Sequence, residues 1–243
     1  MGGFVKKVTV NPRVEIDRTL FPFTLPVFRN FEALPLHPSV TFFVGENASG
    51  KSTLLEGIAT NFGFPAEGGT RSHHYSTFDS HSGLGDSLVL AKGQAPKDSF
   101  FFRSESFYNL ATYLDTAARE GGGVPRFGWT HQRSHGEGFL ETVSHLKPNG
   151  LYLFDEPESA LSAQGQITFL SHMKRLVDGG SQFIIATHSP ILMGFGKAWI
   201  YQFGTDGIAR TTYRETEHYR LTFDFLRNRD RYAAHLGLDP EID

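Results

Sequence analysis

The chain has 243 residues, a formal charge of −3 and no cysteine. With 39% hydrophobic and 20% charged residues it suits one large domain or two small ones with a packed core, and excludes long disorder. The absent cysteines exclude disulfide scaffolds, cysteine zinc sites, iron–sulfur clusters and thiol nucleophiles, and no apolar run approaches the ~20 residues of a membrane span.

The start, MGGFVKKVTV, lacks the apolar segment of a secretory signal, so no membrane partner is expected and a cytoplasmic location is the default. The first 45 residues alternate apolar and polar positions and carry five prolines, which predicts short strands and turns. Val5–Val10 and Val40–Val44 read as strands, and Lys51–Asn61 as a helix. Residues 62–98 are rich in Gly, Ser and His; Ser87–Ala91 and Ser99–Phe102 are the next strands. Ser106–Glu120 has helical periodicity and ends at Gly121–Gly123, and His135–Leu146 is a second helix. The apolar runs Gly150–Asp155 and Gln182–Ala186 suit strands buried on both faces, separated by a helix over Ser159–Val177. Ala198–Phe203 and Ile208–Thr212 form a hairpin around Asp206-Gly207, and Glu215–Arg227 is the last helix. Strands alternating with helices indicate an α/β sheet.

Residues 45–52 read Gly45-Glu46-Asn47-Ala48-Ser49-Gly50-Lys51-Ser52, which fits G-x-x-x-x-G-K-[ST] with a strand before and a helix after. The glycines admit backbone angles that a Cβ resists. Loop N–H groups and the helix N-terminus then favour phosphate. Lys51 supplies a positive charge between the β- and γ-phosphates, Ser52 a hydroxyl ligand for Mg2+, and Thr53 a contact to the α-phosphate. A second apolar strand ends in Asp155-Glu156-Pro157-Glu158. Asp155 is positioned to hold Mg2+ opposite Ser52, and Glu156 to act as general base toward water. A third strand, 33 residues after Asp155, ends in Thr187-His188, where His188 would contact the γ-phosphate and orient that water. The histidines of Arg71-Ser-His-His-Tyr75 and His81 match no zinc spacing and read as a polar loop. Six arginines between Arg210 and Arg231 alternate with four acids, which reads first as a mixed-charge surface and second as a docking surface.

GENASGKST, LYLFDEPESALS and IIATHSP, in this order, resemble ATP-binding-cassette-type ATPases of the branch without transmembrane partners, shared with RecF-like and chromosome-maintenance heads. Phe28-Arg-Asn-Phe31 before the loop strand is similar to the entry segment of that branch. With Phe102-Arg-Ser-Glu-Ser-Phe107, Arg133-Ser-His-Gly-Glu-Gly138 and Glu217-His-Tyr-Arg-Leu-Thr222, the chain looks most like the small stand-alone bacterial ATPases of this type. The resemblance implies a P-loop NTPase fold: a mainly parallel core sheet, an N-terminal antiparallel β-subdomain and a small helical signature subdomain. Within one domain, 1–243, these would occupy about 1–100 (nucleotide-binding core and β-subdomain), 101–147 (helical) and 148–243 (core sheet and C-terminal helix).

It also implies Mg2+ and ATP as cofactor and substrate, Lys51, Glu156 and His188 as catalytic residues, and an ATP-dependent head-to-tail homodimer. The signature loop would be Ser134-His135-Gly136-Glu137, meeting the nucleotide of the other copy, with His135 and Glu137 departing from the usual glycine and glutamine. Glu105 falls near the position of a metal- or water-facing glutamine, and Ser162 stands where many relatives have Asp. The 83 residues from Lys51 to Ser134 leave no room for a long coiled-coil arm. DNA-related or defence work fits the branch, and both a nucleic acid and a protein stay open as partner. Two alternatives remain: a non-hydrolysing nucleotide-gated binding module, and a P-loop kinase acting on a small acceptor.

Overall fold

The computed structural model describes residues 2–71, 83–106 and 135–238, without the side chain of His135. Strands β1 (Val5–Val10), β2 (Ala33–Pro35) and β4 (Leu88–Lys92) form an antiparallel sheet in the order β2-β1-β4. The six-stranded sheet has the order β5-β6-β7-β3-β8-β9. Its members are β3 (Val40–Val44), β5 (Asp98–Arg103), β6 (Gly150–Asp155), β7 (Gln182–Ala186), β8 (Trp199–Gly204) and β9 (Gly207–Thr211). Every pairing in it is parallel except the β8–β9 hairpin. The fold is therefore a mixed α/β architecture with a mainly parallel sheet and a separate antiparallel sheet, as the resemblance implies.

Side-chain alternation along the strands separates two cores. On one face Phe43, Leu153, Ile184 and Phe203 pack with Val27 and Phe28 of the short α1 (Pro26–Arg29), with helix α2 (Lys51–Phe62) and with Val5, Val8, Leu34 and Leu90 of the antiparallel sheet. On the other, Phe42, Phe102, Phe154 and Ile185 pack under α3 (His135–Ser144), α4 (Ala163–Asp178) and the short α5 (Pro190–Met193). Many of the phenylalanines are spent here. Phe139 meets Phe102, Phe154 and Phe169 edge-on at 4.6, 5.9 and 5.3 Å between ring centroids, the arrangement the aromatic quadrupole favours.

Two polar links join the sheets. The Val5 amide donates to Gln182 Oε1 at 2.9 Å, and Gln182 Nε2 donates to the carbonyls of Val5 and His37 at 2.8 and 2.9 Å. The Tyr201 hydroxyl donates to the Pro35 carbonyl at 2.7 Å.

The strands and the hairpin fall within a residue or two of their expected bounds, and β2 is added to them. Two helices differ. The one expected over Ser159–Val177 begins only at Ala163, because Pro157–Ala160 makes a 3-10 turn and Ser162 caps α4 by accepting from the Gly165 amide at 3.1 Å. The last helix is two: α6 (Glu217–Arg227) follows a 3-10 turn at Tyr213–Glu215, and α7 (Arg229–Leu236) follows a break at Asn228. The helix expected over Ser106–Glu120, the glycines that end it and the histidines from His73 to His81 lie outside the described residues.

Candidate active site

Parallel pairing brings the C-terminal ends of β6, β7 and β3 side by side, in that order. This is the edge where open α/β sheets bind ligands. Backbone bonds fix the level of the three ends. The Glu156 amide donates to the Ala186 carbonyl at 2.9 Å, and the Thr187 amide to the Phe43 carbonyl at 3.0 Å. The loop 45–53, the acids and His188 therefore meet on one rim, although they are far apart in sequence.

The loop is built as its glycines predict. Gly45 and Gly50 have φ of 146° and 96°, and Ala48 also lies on the left-handed side at 60°. A Cβ on Gly45 would lie 2.4 Å from the Phe203 carbonyl, and one on Gly50 would lie 2.8 Å from Val27 Cγ2. The sharp turn at Gly50 starts α2, whose N-terminal amides face the loop. The Lys51 ammonium is buried and donates to the carbonyls of Gly45 and Glu46 at 2.9 and 2.8 Å. Burial lowers its pKa, and Glu156, Asp155, Glu158 and Glu46 act in the opposite direction.

Ser52 Oγ donates to Asp155 Oδ1 at 2.8 Å, although the two residues are 103 positions apart. Asp155 is buried, and desolvation raises its pKa to about 6 against the lowering effects of Ser52 and Arg103. A buried carboxylate beside a hydroxyl is a hard-oxygen pair that a divalent cation would stabilise. Mg2+ takes a few protein oxygens and completes its shell with water and phosphate. Among the described residues no group of three His, Asp or Glu side chains could hold a metal by itself. The donor set fits Mg2+, which Ser52 and Asp155 would hold.

Glu156 sits at φ 49°, a left-handed angle that lets the chain turn sharply at the end of β6. Its Oε1 lies 3.3 Å from His188 Nε2, close enough for a charge contact but without hydrogen-bond alignment, so His188 Nε2 has no hydrogen-bond partner among the described residues. Burial lowers the His188 pKa, Lys51 and His218 lower it further, and Glu156 raises it.

Three residues of the rim carried no assigned role in the sequence reading. Arg103 ends β5 directly opposite Asp155 in the strand register, with Nε 3.8 Å from Asp155 Oδ2 and Nη1 2.8 Å from Glu56 Oε2. Glu158 accepts from the His188 amide at 2.5 Å and so fixes the loop that carries His188. His218, from α6, places Nε2 3.0 Å from His188 Nδ1. No local pattern announces these contacts. Arg103 is set by the pairing of distant strands, and His218 by the docking of a helix.

Glu105 lies just past β5 with its side chain 85% exposed and its carboxylate 3.6 Å from Arg103, so it meets Asp155 through the guanidinium. Gly136 and Glu137 lie in the first turn of α3, and a Cβ on Gly136 would lie 2.9 Å from the Ala160 carbonyl. Ser134 falls outside the described residues.

No family model matches the chain, and no curated protein matches it in sequence. Solved structures similar to it include the SMC head domain from Thermotoga maritima, with a TM-score of 0.44 at 15% identity over 86% of this chain and 98% of that one. An SmcHead bound to the C-winged helix domain of ScpA gives 0.44 at 13% identity, over 74% and 92% of the two chains. A bacterial Atm1-family ABC exporter with ATP bound gives 0.46 at 16% identity, over 92% of this chain; this chain spans 42% of the exporter's length. Among the described residues no helix is long and apolar enough to cross a membrane.

Proposed function

We propose that the chain is a P-loop ATPase of the cassette and chromosome-maintenance-head type, which binds Mg·ATP on Gly45–Thr53 and hydrolyses it. The observation that carries this reading is the Ser52–Asp155 bond at 2.8 Å beside the Glu156–His188 contact at 3.3 Å, on the rim where a phosphate-binding loop opens α2. Bound at Ser52 and Asp155, Mg2+ would neutralise charge on the β- and γ-phosphates.

The chain's own groups then have separable tasks. Lys51 exchanges its two carbonyl partners for phosphate oxygens. Glu156 takes a proton from water as the water oxygen attacks the γ-phosphorus, and the bond to the β–γ bridging oxygen breaks to leave ADP and phosphate. His188 holds the attacked phosphate from the adjacent strand end. Arg103 keeps Asp155 ionised beside the metal. Glu105, joined to Arg103, adjusts that charge balance from outside and is the candidate for a water- or metal-facing role.

In this reading two copies pack head to tail, and the segment Ser134-His135-Gly136-Glu137 of one meets the γ-phosphate held by the other. A helix N-terminus supplies N–H groups there without an arginine. ATP closes the pair and hydrolysis reopens it. The cycle would act on a nucleic acid or a protein partner. The decisive experiment combines phosphate release by the wild type with light scattering of Glu156→Gln. The wild type should turn over ATP, and the variant should bind Mg·ATP, fail to cleave it and double in mass. A variant that binds ATP at unchanged mass overturns the dimer, and a wild type that binds without turnover overturns the hydrolase.

A further inference from the structure

We infer that His218 is a positioning residue: it selects the tautomer of His188 that carries its proton on Nε2, facing Glu156 and the phosphate site. The inference rests on the reading above for what His188 does there, but the geometry of the pair stands independently.

The two rings meet edge to face, with centroids 5.0 Å apart, planes at 68° and a 3.0 Å Nδ1···Nε2 contact. Between two neutral imidazoles one nitrogen must donate and the other accept. In the first arrangement His218 Nε2–H donates to His188 Nδ1. His188 then carries its proton on Nε2, 3.3 Å from a Glu156 carboxylate oxygen. His218 Nδ1, which is buried with no hydrogen-bond partner among the described residues, is then a bare lone pair.

In the second arrangement His188 Nδ1–H donates to His218 Nε2. Two penalties arise together. The His188 Nε2 lone pair now faces a carboxylate oxygen, which is repulsive. His218 must carry its proton on buried Nδ1, where no acceptor is present among the described residues. A buried donor without an acceptor costs about 1–3 kcal/mol. An unused imidazole lone pair is the milder defect. In the first arrangement the donor His188 Nε2–H also lacks hydrogen-bond alignment but lies 3.3 Å from an anionic oxygen. In the second His218 Nδ1–H has no acceptor among the described residues, so the Glu156 charge favours the first arrangement.

The selected tautomer matters because only an Nε2–H can donate to a phosphate oxygen on which charge develops. The wrong tautomer would present a lone pair to that charge. His218 is placed to hold this choice. It is the second residue of α6, and the preceding residue but one, Thr216, is fully buried and donates to the Tyr213 carbonyl at 2.8 Å. The Tyr213 hydroxyl in turn donates to the Pro190 carbonyl at 3.0 Å, two residues beyond His188. The segment that leads into α6 and the loop bearing His188 are thus fastened to each other beside the histidine contact. The C-terminal helices are joined to the reaction centre by a hydrogen bond whose direction is set.

The test uses His218→Phe and His218→Gln in the full chain, with long-range proton–nitrogen correlation spectra of the histidine side chains. Comparison with His188→Gln assigns the His188 signals. The wild type should show His188 as the Nε2–H tautomer. His218→Phe, which cannot donate, should weaken that preference to the part Glu156 supplies and raise the share of the Nδ1–H tautomer, whereas the amide of His218→Gln should retain it. In steady-state ATP hydrolysis His218→Phe should lower kcat by at least about tenfold, with KM within about threefold, and His218→Gln should recover most of the loss. An unchanged His188 tautomer in a folded His218→Phe overturns the inference. So does an equal loss of kcat in both variants, which would mark a packing role. A tautomer that shifts between the wild type and His218→Phe, with no ATP turnover by the wild type, supports the histidine pair and overturns the hydrolase reading instead.

Discussion

The two ends of the parallel sheet treat buried polar groups in opposite ways. At the N-terminal end they are satisfied. Asp98 accepts from the amides of Ser99 and Lys147 and from the Tyr152 hydroxyl at 2.9, 3.0 and 3.0 Å. Gln182 makes two bonds to Val5 of the antiparallel sheet and a third to the His37 carbonyl between β2 and β3. At the C-terminal end lie Ser49 Oγ, Glu158 Oε2, His188 Nε2, His218 Nδ1 and Gln202 Oε1, the buried side-chain atoms that lack a hydrogen bond among the described residues. The buried Lys51 and Asp155 are there too. Native interiors satisfy nearly all such groups. One end of the sheet therefore has its polar groups paired, and the other leaves polar atoms unbonded where the proposed nucleotide would lie.

Substitutions at the two ends should show the difference. The largest effect belongs to Lys51→Ala. It should abolish measurable ATP binding and lower turnover by more than about 100-fold, with the urea midpoint little changed. A loss of folding instead would show that Lys51 serves the loop rather than phosphate. Gln182→Leu should do the reverse. Three bonding groups of Val5 and His37 would be left unpaired in a buried place, so stability should fall by roughly 2–4 kcal/mol in urea titration. The turnover of the folded fraction should stay at the wild-type level.

The smallest effect sharpens the comparison through pH. Burial raises the Asp155 pKa to about 6, above its ordinary value of 3.8. Between these values the folded protein holds more proton than the unfolded chain, so this group's contribution to stability falls as pH rises toward 6 and beyond. With divalent ions chelated, wild type minus Asp155→Asn should lose up to about 2–3 kcal/mol of stability from pH 4 to pH 7. A flat difference would mean that Asp155 is better solvated or more strongly paired than its burial implies.

How much of this was legible in the sequence follows from how local each feature is. The loop could be read because its glycines and lysine are consecutive and bracketed by a strand and a helix. Asp155, Glu156 and His188 could be read because each ends an apolar run. Arg103 could not, since only the β5–β6 register brings it to Asp155. The orientation of His188 could not either, because His218 arrives on α6 from 30 positions away. The start of α4 was misplaced because the Pro157–Ala160 turn mimics helical periodicity before Ser162 caps the helix. The arginine-rich stretch turned out partly self-contained: Arg210 stacks on Trp199 at 4.1 Å, and Arg231 pairs with Asp224 at 2.5 Å.

Gln182 also has a mechanical meaning. It is the first residue of β7, and the same strand runs straight to Thr187 and His188. At about 3.3 Å per residue β7 is a stiff rod roughly 16 Å long. One end of the rod is clamped to β1 of the antiparallel sheet, and the other carries the histidine. A load on β1 is delivered lengthwise to the rim, and a displacement of the rim is felt at β1. The antiparallel sheet is thus a handle on the site, and of its two polar links to the parallel sheet the one through Gln182 lies on the strand that bears His188.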